Sequence, residues 1–221
     1  AITNRHVLWM HRMVSFMSSD EKAREIGHAL AEGAKSDGEK VDRVTEWVRR
    51  HVALPSSGAR EGPGSETNWD EDMNDVIERG YGSAEEVTLV TYSLLHQAGL
   101  NVTPILANDT RRGRFSLAFP DPSPAQHLML MIQTDGQIRS LDPACRYCPP
   151  GLADWMFSSP LPNGIALSPG FVRPITVPLS PAEWNSQRVE ERVVLAADGS
   201  AAVKGSTTRA GLLDVEWRKN K

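Results

Sequence analysis

The sequence predicts an α+β fold in which N-terminal helices pack on an antiparallel sheet, followed by an extended proline-rich stretch and a small β unit. Three observations carry that prediction. Apolar residues recur at helical spacing through the first hundred positions. Asp-Gly turn signals at 135–136 and 198–199 sit between strand-like runs. Nine of the 15 prolines fall between Pro143 and Pro181, where regular elements are not expected. A chain of 221 residues with 40% hydrophobic content can bury one domain core and carry an appendage. It is divided here into a helical lead-in (1–37), a core (38–150), a proline-rich extended segment (151–184) and a partial antiparallel β unit (185–221).

Residues 5–17 carry Val7, Met10, Val14 and Met17 at helical spacing, which predicts a core-packing helix. Ser19 and Asp20 offer an N-cap to EKAREIGHAL, whose stripe is Ala23, Ile26 and Leu30, with His28 beside it and Gly33 as its stop. Val41, Val44, Val48 and Val52 predict a third helix flanked by Trp47. Residues 53–68 are polar, aperiodic and rich in glycine and proline, hence a loop long enough to form a flap or rim. DEDMNDVIERG predicts a short helix with an acidic first turn that suits the positive end of its dipole, closed by Gly80. RGYGSAEEVTLVTYSLLHQAGL then reads as a glycine turn feeding a helix, with Val87, Val90, Leu94, Leu95 and Ala98 on one face and Gly99 at its end. NVTPILAN predicts a buried strand, and HLMLMIQTDGQIRSLDP two strands around Asp135-Gly136. RVEERVVLAADGSAAVKGSTT and LLDVEW are read as strands of an antiparallel sheet. No internal repeat is found.

The balance of 24 Lys+Arg against 28 Asp+Glu, with no basic block, argues against a nucleic-acid partner. No apolar run reaches the roughly 18 residues of a transmembrane segment. The chain starts at Ala1 with neither methionine nor leader and is read as processed, excised or trimmed. Cys145 and Cys148 form a CRYC pair that would suit a redox couple, half a zinc site or a small disulfide. No second CxxC or HxxxH supports zinc, and Pro149-Pro150 forbid the helix that thioredoxin-like chemistry needs. That leaves a loop pair, free or joined. With no calcium-loop spacing either, no metal and no cofactor is expected.

The hairpin carries the chemistry. If Asp135 and Gly136 are the loop, Thr134 faces Gln137, and the same register puts Asp142 opposite Met129. His127 shares the Met129 face, so His127 and Asp142 become diagonal neighbours, about 7–8 Å apart at the backbone and within side-chain reach. A carboxylate so placed fixes the imidazole tautomer and aims it at a third group. Taken singly, a strand-end His is commonly a satisfied polar residue, and Asp before Pro commonly starts a turn; the shared face is what raises the pair above that. A helix N-terminus is the natural place for the third group, because its dipole and N–H groups favour a thiolate or an oxyanion.

This arrangement resembles the transglutaminase-like superfamily of papain-type cysteine enzymes, in particular bacterial exported members. Gly80, Gly82, Ser83, Ala84 and Glu86 follow a G-x-G-x-C-x-D/E phrase; LLHQAG at 94–99 follows an LL-x-x-A-G phrase; His127 and Leu141-Asp142-Pro143 complete the pattern. The resemblance covers residues 38–150, and the helices before them, including Trp9, look like the approach to such a core. It implies a papain/transglutaminase-like fold, amide acyl transfer or hydrolysis on a polypeptide or amide-bearing substrate, and a periplasmic or extracellular location. The family's cysteine falls on Ala84, whose methyl can neither ionise nor attack a carbonyl.

Three readings follow. Ala84 replaces a cysteine in an otherwise functional enzyme, with His127 as acid/base and Asp142 as its orienter. Alternatively, the chain is a natural pseudoenzyme that binds a peptide or envelope ligand in the retained cleft. Least favoured is a serine hydrolase using Ser83, whose hydroxyl is expected to cap the helix through a capping box with Glu86 instead. The Ala84 backbone N–H is an oxyanion donor by position and the Trp69 indole a further one, although packing accounts for Trp69 more simply. Glu86 is expected to complement the helix dipole.

Overall fold

A computed structural model of the chain describes residues 11, 13–18, 20–54, 72–108, 125–152, 163–168, 171–177 and 182–219. Within them lie helices α1 (Glu21–Ala31), α2 (Asp37–His51), α3 (Met73–Arg79), α4 (Ala84–Gln97) and α5 (Leu212–Lys219). The strands are β1 (Asn101–Asn108), β2 (Ala125–Thr134), β3 (Gln137–Leu141), β4 (Asn163–Ser168), β5 (Phe171–Thr176), β6 (Ser186–Leu195) and β7 (Ala201–Ala210). The first five strands form one antiparallel sheet in the order β3-β2-β1-β4-β5, and among the described residues β6 pairs with β7 as a separate two-stranded sheet. Helices and antiparallel sheet thus build the mixed architecture expected.

Sequence explains most helix boundaries. Ser36 caps α2 by accepting the Glu39 N–H, and Val41, Val44, Val48 and Val52 are all buried. Asp72 and Asp75 cap α3 reciprocally, and Gly80 ends it at φ 72°, a left-handed conformation that side chains other than glycine adopt at a cost. Asp20 precedes α1 but spends its carboxylate on Arg24 and on the Gln97 amide of α4 rather than on a cap.

The α4 helix is central. Val87, Leu89, Val90, Leu94 and Leu95 are at most 1% exposed, and burial extends to Thr88, Thr91 and Ser93, so nearly every side is covered. Five such aliphatic side chains at about 1.5–3 kcal/mol each far outweigh any cap. Thr88 and Thr91 return their hydroxyls to the carbonyls of Ala84 and Val87 at 2.7 Å, which lets polar residues sit in this interior. Against α4 lie α1, α2, α3 and one face of the sheet, where Leu128, Leu130, Ile132 and Leu141 join the same cluster. The opposite sheet face gathers Ile105, Ala107, Met129, Ala166 and Val177 into a second cluster.

Several expectations need correction. The stripe of residues 5–17 holds only in part: Met17 packs partly buried against the core, but Val14 is 56% exposed while Met13 and Phe16 are buried, and Val7 and Met10 lie outside the described residues. Helical spacing fits either pair of rows, and the partner surface chose the other. Part of the proline-rich segment forms regular structure, because β4 pairs with β1 and β5 with β4. Pro174 is accommodated because β5 is the sheet edge. LLDVEW is helical, lying in α5, where Leu212 and Val215 are buried at a three-residue spacing. The Asp198-Gly199 turn exists within a longer connection, since pairing closes at Leu195 and Ala201. Most of the 53–68 loop, with its flap or rim reading, lies outside the described residues.

Among the described residues no helix is long and apolar enough to cross a membrane. Cys145 and Cys148 are joined and buried. Thiol titration of the native protein therefore yields no free thiol, and two after reduction in denaturant. Gly27 lets α1 approach α4 closely: a Cβ there would lie 2.7 Å from the Gln97 Cβ and 2.9 Å from the Leu94 carbonyl oxygen. Gly27→Ala is expected to cost about 1–3 kcal/mol by overpacking, read as a lower urea midpoint at unchanged m-value.

Candidate functional site

The start of α4 is held by a dense local network. Ser83 Oγ accepts the Glu86 N–H at 3.2 Å, and Glu86 Oε2 accepts the Ser83 N–H at 2.7 Å, completing the capping box. Arg79, the last residue of α3, grips both Glu86 carboxylate oxygens at 3.0 and 3.1 Å and donates from Nε to the Tyr81 carbonyl at 2.7 Å. Its guanidinium also stands 5.0 Å from the centre of the exposed Tyr81 ring. Ala53 flanks the same turn, donating its N–H to Gly80 and accepting that of Gly82. A Cβ at Gly82 would come within 3.0–3.2 Å of Val76 and Glu86, so the glycine permits the turn to lie this close.

The capping box satisfies the N–H groups of Ser83 and Glu86, leaving those of Ala84 and Glu85 at the positive end of the helix. Ala84 itself is exposed. The position that resembles the family's nucleophile therefore opens to solvent, and the Ser83 hydroxyl oxygen is engaged in the cap.

The hairpin register is the one expected: Thr134 pairs with Gln137 and Leu130 with Leu141. His127 Nε2 meets Asp142 Oδ2 at 2.8 Å. Asp142 is nearly enclosed, its side chain 1% exposed against 33% for His127, and its second oxygen accepts the Ala144 N–H at 3.1 Å. A buried carboxylate thus fixes a solvent-reachable imidazole through Nε2. The pair lies on the Met129 face of the sheet, while Leu128 and Leu130 of the opposite face pack toward α4. A register irregularity between Ala107 and Asn108 sits across from His127; irregularities of this kind commonly bend a strand beside functional sites.

The structure joins His127 to Asp142 and Ser83 to Glu86; Ala84, a methyl, has no polar contact with either pair. Trp69 lies outside the described residues. The turn before α4 and the segment after Asp142 are tied to one element, the end of α2: Ala53 just beyond it pairs with the turn, and Arg49 in its last turn donates to the Cys148 carbonyl. Arg49 and Arg79 escaped sequence reading because charged residues near a helix end look solvated, and their partners lie on other segments. Lys219, at the end of α5, also reaches this region. Burial pushes its ammonium pKa down, and the Asp142 carboxylate partly offsets that shift.

No family model matches the chain, and no curated protein sequence does. In fold it is similar to a crystal structure from Parabacteroides distasonis, provisionally described as a protease, with a TM-score of 0.54 and 14% identity over 85% of this chain and 36% of that one. A structure from Cytophaga hutchinsonii, provisionally described as a cysteine protease, aligns at a TM-score of 0.44 and 12% identity over 76% of this chain and 55% of that one. The first similarity shows that the chain shares the fold of part of that structure. The chain spans about a third of that structure's length.

The network before α4 gives an ordered expectation. Ser83→Ala removes one cap, about 1 kcal/mol. Glu86→Gln weakens a largely buried ion pair and a cap together, about 2 kcal/mol. Urea denaturation of both variants should rank Glu86→Gln as the more damaging.

Proposed function

We propose that this chain is a transglutaminase-like cysteine acyltransferase or peptidase domain in a form that lacks its nucleophile, with Ala84 standing at the cysteine position. The observation that carries this reading is the 2.8 Å contact between His127 and the buried Asp142. Burying a carboxylate is costly, and aiming it at a partly exposed imidazole is the arrangement a general acid/base needs. The exposed first turn of α4, with its N–H groups and positive dipole end, supports the same chemistry.

With a thiol at position 84 within reach of His127, the imidazole would take its proton, the thiolate would attack an amide carbonyl, and the tetrahedral oxyanion would rest on the N–H groups at the start of α4. The imidazolium would then protonate the leaving amine, and water or a second amine would release the acyl group. The substrate is a polypeptide or another amide-bearing molecule. The joined Cys145–Cys148 pair supports a periplasmic or extracellular setting, because such bonds persist in oxidising compartments.

The pseudoenzyme reading is favoured by one observation, that the capping box and the Arg79 clamp around Ala84 are complete without any reactive group. Ala84→Cys separates the two. The proposal expects hydrolysis or hydroxamate formation on glutamine-bearing peptides to appear in this variant, and to fall by roughly 100-fold or more when His127→Ala is added, the usual contribution of a general acid/base. A folded Ala84→Cys variant that binds such peptides without turning them over would instead establish a binding module.

A further inference from the structure

The segment that follows Asp142 is fastened at more points than a surface loop requires. The Ala144 N–H donates to the Asp142 carboxylate and the Cys145 N–H to the Asp142 carbonyl. Cys145 and Cys148 are bonded to each other and are 4% and 0% exposed. Arg49 of α2 donates to the Cys148 carbonyl, and the Gly151 N–H returns to the Ser140 carbonyl two residues before Asp142. Leu212 and Val215 of α5 pack on the two sulfurs and Leu152 as a small core of their own. A bond between residues three apart constrains little of the unfolded chain compared with one that closes a long loop. Its effect is therefore concentrated on the 145–148 turn it closes, which the Cys145 N–H ties to the carbonyl of Asp142, the residue that orients His127.

We propose that the Cys145–Cys148 disulfide is a positioning device for Asp142. Clamped by the disulfide, with Arg49 and α5 holding it from outside, the 142–148 turn keeps the carboxylate on His127 Nε2, and opening the bond loosens that grip. The inference deepens the reading of His127 and Asp142 as an acid/base pair and rests on it. The covalent change is a two-electron one: a dithiol such as dithiothreitol reduces the S–S bond to two thiols and is itself oxidised to a cyclic disulfide.

The test uses the chain with Ala84 in place, which has no other cysteine to exchange with the pair. Nitrogen-15 spectra of the neutral His127 ring report its tautomer directly. The oxidised protein should show a single Nε2-protonated form, with that proton's signal retained in solution. In the Cys145→Ala/Cys148→Ala double variant, and in the dithiothreitol-reduced protein, the two ring-nitrogen shifts should converge and the proton signal be lost, while circular dichroism confirms an intact fold. Should the double variant fail to fold, Arg49→Met, which keeps the disulfide and removes an outer anchor, should give a smaller change in the same direction. An unchanged tautomer in a folded protein without the disulfide would overturn the proposal. This outcome is independent of catalysis: an inactive Ala84→Cys variant with a disulfide-dependent tautomer defeats the enzymatic reading alone, and an active one with an indifferent tautomer defeats the positioning role alone.

Discussion

Burial of α4 on nearly all sides is the constraint from which the rest follows. A helix with Leu89, Val90, Leu94 and Leu95 fully enclosed must have a layer on each flank, and α1, α2, α3 and the sheet supply them. Because its body is packed so tightly, its direction is fixed, and so is the place where its first turn emerges. Its first residue, Ala84, is exposed there. The clamp from Arg79 through Glu86 to Ser83 then sets the local geometry of the emergence with a few polar contacts, whose energies are small beside the apolar burial that made the helix.

The second half of the candidate site is built on different physics. A β-hairpin register repeats every two residues, so fixing the Asp135-Gly136 turn fixes which residues share a face, out to Asp142. The carboxylate lies beyond the last strand residue, where ladder hydrogen bonds no longer hold the backbone. Its position is maintained by the Ala144 and Cys145 N–H groups and by the disulfide-closed segment. Helix burial and strand register thus determine one component each, and α2 ties the two regions together through Arg49 and Ala53.

A methyl at the exposed start of α4 beside a retained capping network is consistent with a scaffold whose construction does not depend on the reactive atom. Ser83, Glu86, Gly80 and Gly82 each have a structural reason to be present. The His127–Asp142 contact is harder to explain as packing, since a nearly enclosed carboxylate facing a partly exposed imidazole stabilises little that an apolar pair would not. The motif residues therefore carry unequal weight as functional evidence.

By itself the sequence determined the elements whose signals are local. The α2 valines, the cap at Ser83, the left-handed Gly80, the Asp135-Gly136 register and the consequent neighbourhood of His127 and Asp142 all follow from spacing and backbone preference. Tertiary structure decided what depends on a partner surface. It selected Met13 and Phe16 over Val14 for the core, drew residues 163–168 and 171–176 into the sheet despite Pro174, and made a helix of LLDVEW by giving Leu212 and Val215 the disulfide to pack against. It also supplied Arg49 with a distant acceptor, the Cys148 carbonyl. Periodicity states that one side of a segment is apolar; which neighbour covers it, and with what geometry, exists only once the chain has folded back on itself.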